Sequence, residues 1–142
     1  MKTIRPQKIN FNQIRSFVKT AQKKIGKAEK VLSIDEQTSF QMVYEAMLRA
    51  SLGFMLSYGQ RPRSGLGHHK IIIDFVAKKL GREYKNIVKA FDLMRRKRNE
   101  AIYEPISFIT KKEAKDSIAL AKKYILIIGE EIENRCPQLK LF

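Results

Sequence analysis

Glu83-Tyr84-Lys85-Asn86-Ile87-Val88-Lys89-Ala90-Phe91-Asp92-Leu93-Met94-Arg95-Arg96-Lys97-Arg98-Asn99-Glu100-Ala101-Ile102-Tyr103 is the stretch on which the fold turns. At about 100° per residue, Tyr84, Ile87, Val88, Phe91, Met94 and Ile102 fall in a stripe about 120° wide, the apolar face of one helix. Pro105 stops that helix, because proline lacks the N–H and clashes with the preceding turn. Arg98 lies near the centre of the stripe and Arg95 within it, whereas Arg96, Lys97 and Glu100 point elsewhere.

The same spacing recurs on both sides. Upstream, a short helix starts near His68 and runs through Ile71, Ile72, Phe75, Val76 and Leu80 to Gly81. Before it, Gln60 to Gly67 holds Pro62, Gly65 and Gly67 with Arg61 and Arg63, and reads as a basic loop. Earlier still, Ser33-Ile34-Asp35-Glu36 reads as a capping box that opens a helix reaching about Tyr58 and ending at Gly59. Phe11, Ile14, Phe17, Val18, Ala21, Ile25, Ala28 and Val31 mark a first helix from Asn10 to Leu32. Downstream, Thr110-Lys111-Lys112-Glu113 is a second capping box, opening a last helix through Ile118, Ala121, Tyr124, Ile125, Ile128 and Ile132. No strand pattern competes. Residues 1–9 and 136–142 read as tails. Short connections make successive helices antiparallel neighbours, so the sequence predicts an all-α, up-and-down bundle of about five helices, one domain over 1–142.

Composition narrows the function. Hydrophobic residues make up 44% of the 142, enough for a globular core. The apolar runs are far short of the roughly 20 residues that cross a bilayer, and no secretory leader pattern opens the chain, so a cytoplasmic protein off the membrane is expected. One cysteine, Cys136, makes no internal disulfide. Twenty-nine basic residues against 14 acidic give a net charge of +15. Such an excess either attracts polyanions such as RNA, DNA or nucleotides, or is a lysine-rich solvated surface.

Arg98 requires its own account, since an unpaired charge on a buried face costs several kcal/mol. It either pairs with a carboxylate such as Glu45 or snorkels to water, or it faces phosphate in a cleft, where its planar fork suits bidentate contact. His68 and His69, the two histidines, lack further ligands of metal-site spacing, so no metal or other cofactor is expected. They belong at the helix start beneath Arg61 and Arg63, or one of them serves a cleft as a base. The glycines at 65 and 67 are too few for a dinucleotide fingerprint and follow no strand. Arg95-Arg96-Lys97-Arg98 lying along a DNA backbone is a further reading, and an interaction module with incidental charge another.

Leu93 to Glu104, with Arg98-Asn99-x-x-x-Tyr103, resembles the motif region of HEPN domains (higher eukaryotes and prokaryotes nucleotide-binding). Tyr44-Glu45-Ala46-Met47-Leu48-Arg49-Ala50, Gly65-Leu66-Gly67-His68-His69 and the lysine- and alanine-rich last helix fit the same family. The resemblance implies a homodimer whose motif helices face each other across a composite cleft. It also implies metal-independent RNA cleavage where the motif is complete, with Arg stabilising the phosphorane and His moving protons. Arg98 and Asn99 match; Tyr103 stands where an active member has His, and a phenol with a pKa of about 10 is a poor base. The first expectation is therefore a homodimeric RNA- or nucleotide-binding protein using Arg98, Asn99 and Tyr103, with Arg95, Arg96, Arg61, Arg63, His68 and His69 as nucleic-acid contacts. The alternative is an active ribonuclease toxin paired with a minimal nucleotidyltransferase antitoxin, in which Tyr103 is the residue adenylylated.

Overall fold

A computed structural model describes residues 3–63, 68–103 and 109–141, with the side chains of 101–103 outside that description. Gly65, Gly67, Pro105 and the Tyr103 side chain thus lie outside the described residues. Helices α1 (Phe11–Val31), α2 (Glu36–Leu56), α3 (His68–Leu80), α4 (Lys85–Tyr103) and α5 (Lys111–Arg135) form the all-α bundle. A turn of 3-10 helix, Arg82–Tyr84, leads into α4.

Local chemistry sets the helix ends. Asn10 caps α1 by accepting from the Gln13 N–H. The Thr110 capping box is present: Thr110 Oγ1 accepts from Glu113 N at 3.0 Å, and Glu113 accepts from Thr110 N at 3.3 Å. The Ser33 box is not, because Asp35 takes the cap, accepting from the N–H groups of Gln37 and Thr38. A carboxylate two residues nearer the helix also favours the positive end of the helix dipole.

Helix α2 is the hub, packed against α1, α3, α4 and α5. Its middle carries only Glu45 and Arg49 as charges, and Phe40, Val43, Tyr44, Met47, Phe54 and Met55 are buried. Fully burying a side chain of this size stabilises by about 1.5–3 kcal/mol. Gly53 has a packing reason: a Cβ there would meet Phe17 Cβ at 3.2 Å, so the bare backbone lets α1 approach α2 closely. The Tyr44, Phe91 and Tyr124 rings join α2, α4 and α5, with centroids 5.7 and 5.1 Å apart. Tyr124 Oη hydrogen-bonds Ser51 Oγ at 2.6 Å, and Ser51 in turn donates to the Met47 carbonyl.

Two segments depart from the sequence reading. Strand β1 (Ile4–Pro6) pairs antiparallel with β2 (Gln60–Pro62), so a ladder occupies part of the expected N-terminal tail and of the expected basic loop. Three-residue strands are too short for a periodic signal. At the other end Cys136, Leu139 and Leu141 are buried, the Leu141 carbonyl accepts from Lys19 Nζ, and its N–H donates to Glu133. Apolar residues at 139 and 141 dock residues 136–141 onto the bundle rather than leaving them loose. Among the described residues, no helix is long and apolar enough to cross a membrane.

Candidate nucleic-acid interface

Helix α4 carries its buried face, Ile87, Val88, Phe91 and Met94, up to the point where Arg98 leaves the core. There the Arg98 guanidinium lies over the ring of Tyr44, 5.6 Å from its centroid. That is a cation–π contact, which leaves the guanidinium N–H donors unspent. The neighbouring cations are committed: Arg95 and Arg96 bind Asp92 at 2.9 and 3.3 Å, and Lys97 binds Glu113 at 3.2 Å. Among the described residues, Arg98 is the member of that run without a carboxylate partner. Glu45, the expected partner, is instead held by Lys24 at 2.8 Å. Lys24 on α1 reaches α2 directly, so it neutralises Glu45 and leaves Arg98 facing a groove.

The groove has a volume of about 390 Å³. Phe17, Leu48, Leu52 and Ile72 supply apolar walls, Arg49, Arg98, His68 and His69 supply donors and charge, and Glu45, paired with Lys24, also lines it. His69 is held from behind, its Nδ1 3.0 Å from the hydroxyl of the buried Tyr44. Burial first, and then the charge of Arg98 with smaller help from His68 and Arg95, keeps the imidazole below its ordinary pKa, Glu45 pulling the other way. His69 is therefore neutral at pH 7. Burial pushes the Tyr44 phenol up to about 12 against the charges of Arg98 and Arg95, so it remains a hydroxyl.

The structure thus brings three sequence-selected residues, Arg98, His68 and His69, to one groove. Arg95 lies near enough to act on Tyr44 and His69 electrostatically, but Asp92 holds its Nε. Arg96, Asn99, Arg61 and Arg63 do not line the groove. Arg61 sits in β2 opposite Arg5. Sequence reasoning missed Tyr44 and Arg49 as site residues. Arg49 and Glu45 are the charges in the middle of an otherwise apolar helix, four residues apart on one face, and that was the available signal. Among the described residues, no group of His, Cys, Asp and Glu is arranged to hold a metal ion.

These features define a basic helical bundle with a groove, lined by arginine and histidine, among its first four helices. Residues 14–132 match the family model of the HEPN domain, and the chain belongs to that family. Membership associates it with nucleotide- and RNA-related function. No curated protein and no solved structure matches the chain.

Proposed function

We propose that this chain is a homodimeric RNA- or nucleotide-binding protein whose ligand phosphate is taken by Arg98 in the groove. The observation that carries the reading is the uncommitted guanidinium: its neighbours Arg95, Arg96 and Lys97 have carboxylates, and Arg98 has an aromatic ring beneath it and solvent in front. A phosphate there receives a bidentate, charge-assisted contact, with Arg49 adding charge and the histidines adding donors. Asn99, next along α4, and Tyr103, a turn beyond Arg98, extend this binding surface in the proposal. Dimerisation through α4 is drawn from family kinship, and Leu93, 54% exposed on that helix, suits it.

A second reading is favoured by His69. In the tautomer whose Nδ1–H donates to the Tyr44 oxygen, Nε2 keeps a lone pair at neutral pH. In an active ribonuclease that nitrogen takes the proton of a ribose 2′-OH while Arg98 stabilises the phosphorane. Such an enzyme is the toxin of a pair with a nucleotidyltransferase antitoxin, and His69 then does the work expected of a histidine at position 103.

Titrating RNA into the purified chain at several salt concentrations tests the first reading. Arg98→Ala should weaken binding about tenfold and lower the salt slope by about 1, and an affinity indifferent to both the substitution and salt overturns it. Growth arrest on expression, abolished by Arg98→Ala and by His69→Ala, supports the second.

A further inference from the structure

On the solvent side of α1, Lys23, Lys27 and Lys30 recur at spacings of four and three residues and so share one face. All three are exposed, and none has an ion pair among the described residues. The adjoining flank of α5 is located by the Lys122–Glu29 bridge, 3.0 Å. Lys115 lies seven residues before Lys122 on that flank, exposed and likewise without an ion pair among the described residues. Glu29 is the acidic residue of α1, and Lys122 neutralises it.

Between the two helices runs a groove of about 280 Å³ whose lining includes the apolar Ile25, Ile125 and Leu126, with Gly26 and the Lys122–Glu29 pair. Gly26 is an exposed part of its lining. A glycine inside a helix weakens it, and here packing supplies no reason, since a Cβ at 26 would meet nothing within 4 Å. This contrasts with Gly53, whose missing side chain admits α1. At Gly26 the α1 backbone is bare towards solvent, between lysines. Beside it Leu126 is 50% exposed.

We propose that this α1–α5 surface is a second contact for the phosphate backbone of an RNA strand, apart from the Arg98 groove. The ligand class rests on the reading of that groove as an RNA site; the surface itself rests on its own residues. A second copy of this chain does not suit it, because two such faces repel. An acidic protein suits it poorly. Protein interfaces are depleted in lysine and anchored by aromatic side chains, whereas the exposed α1 face carries Lys23, Lys27 and Lys30, and the groove beside it, whose one lysine, Lys122, pairs with Glu29, has no aromatic lining residue. Exposed, unpaired lysines repeated along one helix face suit a sequence-independent contact with phosphates.

Fluorescence anisotropy on the full chain separates the two sites. The probes are a labelled polyuridylate of about 30 nucleotides, long enough to reach both surfaces, and a pentamer, which occupies one. The triple variant Lys23→Ala, Lys27→Ala, Lys30→Ala should bind the long strand at least about tenfold more weakly, its salt slope falling by about 2, and bind the pentamer as before. Gly26→Leu, whose Cβ meets nothing within 4 Å, should weaken the long strand severalfold in a protein with an unchanged or higher Tm. Arg98→Ala should weaken both probes. Undiminished long-strand binding by the triple variant overturns the second site. Displacement of the long strand by polyglutamate at equal charge concentration also overturns it, in favour of an acidic protein partner. If the triple variant fails on the long strand while Arg98→Ala binds both probes normally, the second site stands and the Arg98 reading falls.

Discussion

The hydroxyl of Tyr44 on α2 and Nδ1 of His69 on α3 are 3.0 Å apart, and the same tyrosine ring supports the guanidinium of Arg98 on α4. One buried side chain thereby fixes two groups from two other helices at a groove. Tyr44→Phe keeps the ring and removes the hydroxyl. Stability should fall by about 1 kcal/mol in urea unfolding, the size of one hydrogen bond. The His69 ring loses its orientation, and RNA affinity should fall although no charge has changed.

The His69 titration has a definite sign. Its folded-state pKa lies below the ordinary value of about 6.5, so as pH drops the unfolded chain takes up the proton first. The contribution of this residue to stability is therefore present at neutral pH and is lost as pH falls below about 6.5 towards the folded pKa. Because Arg98 is a cause of the depression, Arg98→Ala should raise the pKa read from the His69 ring proton shifts in an NMR titration. A pKa that does not move shows that the two groups are not electrostatically coupled.

Alanine at Gly26 in α1 and at Gly53 in α2 should act in opposite directions. Gly26→Ala meets nothing and should stabilise by about 0.5–1 kcal/mol, the helical advantage of alanine. Gly53→Ala places a methyl 3.2 Å from Phe17 Cβ and should destabilise by about 1 kcal/mol or more, as overpacking outweighs propensity. Chemical denaturation of both variants checks the pair.

Leu139 is 1% exposed although it lies beyond the last helix. Leu139→Ala should cost about 2 kcal/mol, the lower end for a buried leucine, and should free the Leu141 carbonyl from Lys19. A loss near zero would mean that the docked end contributes nothing to the core.

The helices were legible because each writes its apolar period along its own stretch of chain, and the Thr110 box because its two members are three residues apart. Arg98 was legible for the same reason: it interrupts a stripe. What escaped depends on partners far along the chain. The β1–β2 ladder joins residues near 5 to residues near 61, and nothing local in Ile4-Arg5-Pro6 announces a strand. Tyr44 looks in sequence like one more core residue of α2, and its role at the groove exists only once α3 and α4 bring His69 and Arg98 to it. The competition at the start of α2 was close, since Ser33 and Asp35 are both good caps and only the chain path decides between them.

The short ladder has a kinetic consequence. The backbone N–H of Arg63 donates to the Thr3 carbonyl and that of Gln7 to the Gly59 carbonyl, so residues 59–63 are tied to the start of the chain. Pairing residues so far apart in sequence closes a much longer loop than forming the α1–α2 hairpin, and it follows helix packing for that reason. Arg63 and Gln7 amides should accordingly gain protection in pulsed hydrogen exchange after those of α1 and α2. The tie between the start of the chain and the stretch after α2 is then among the last contacts to form, later than the helical core on which it rests.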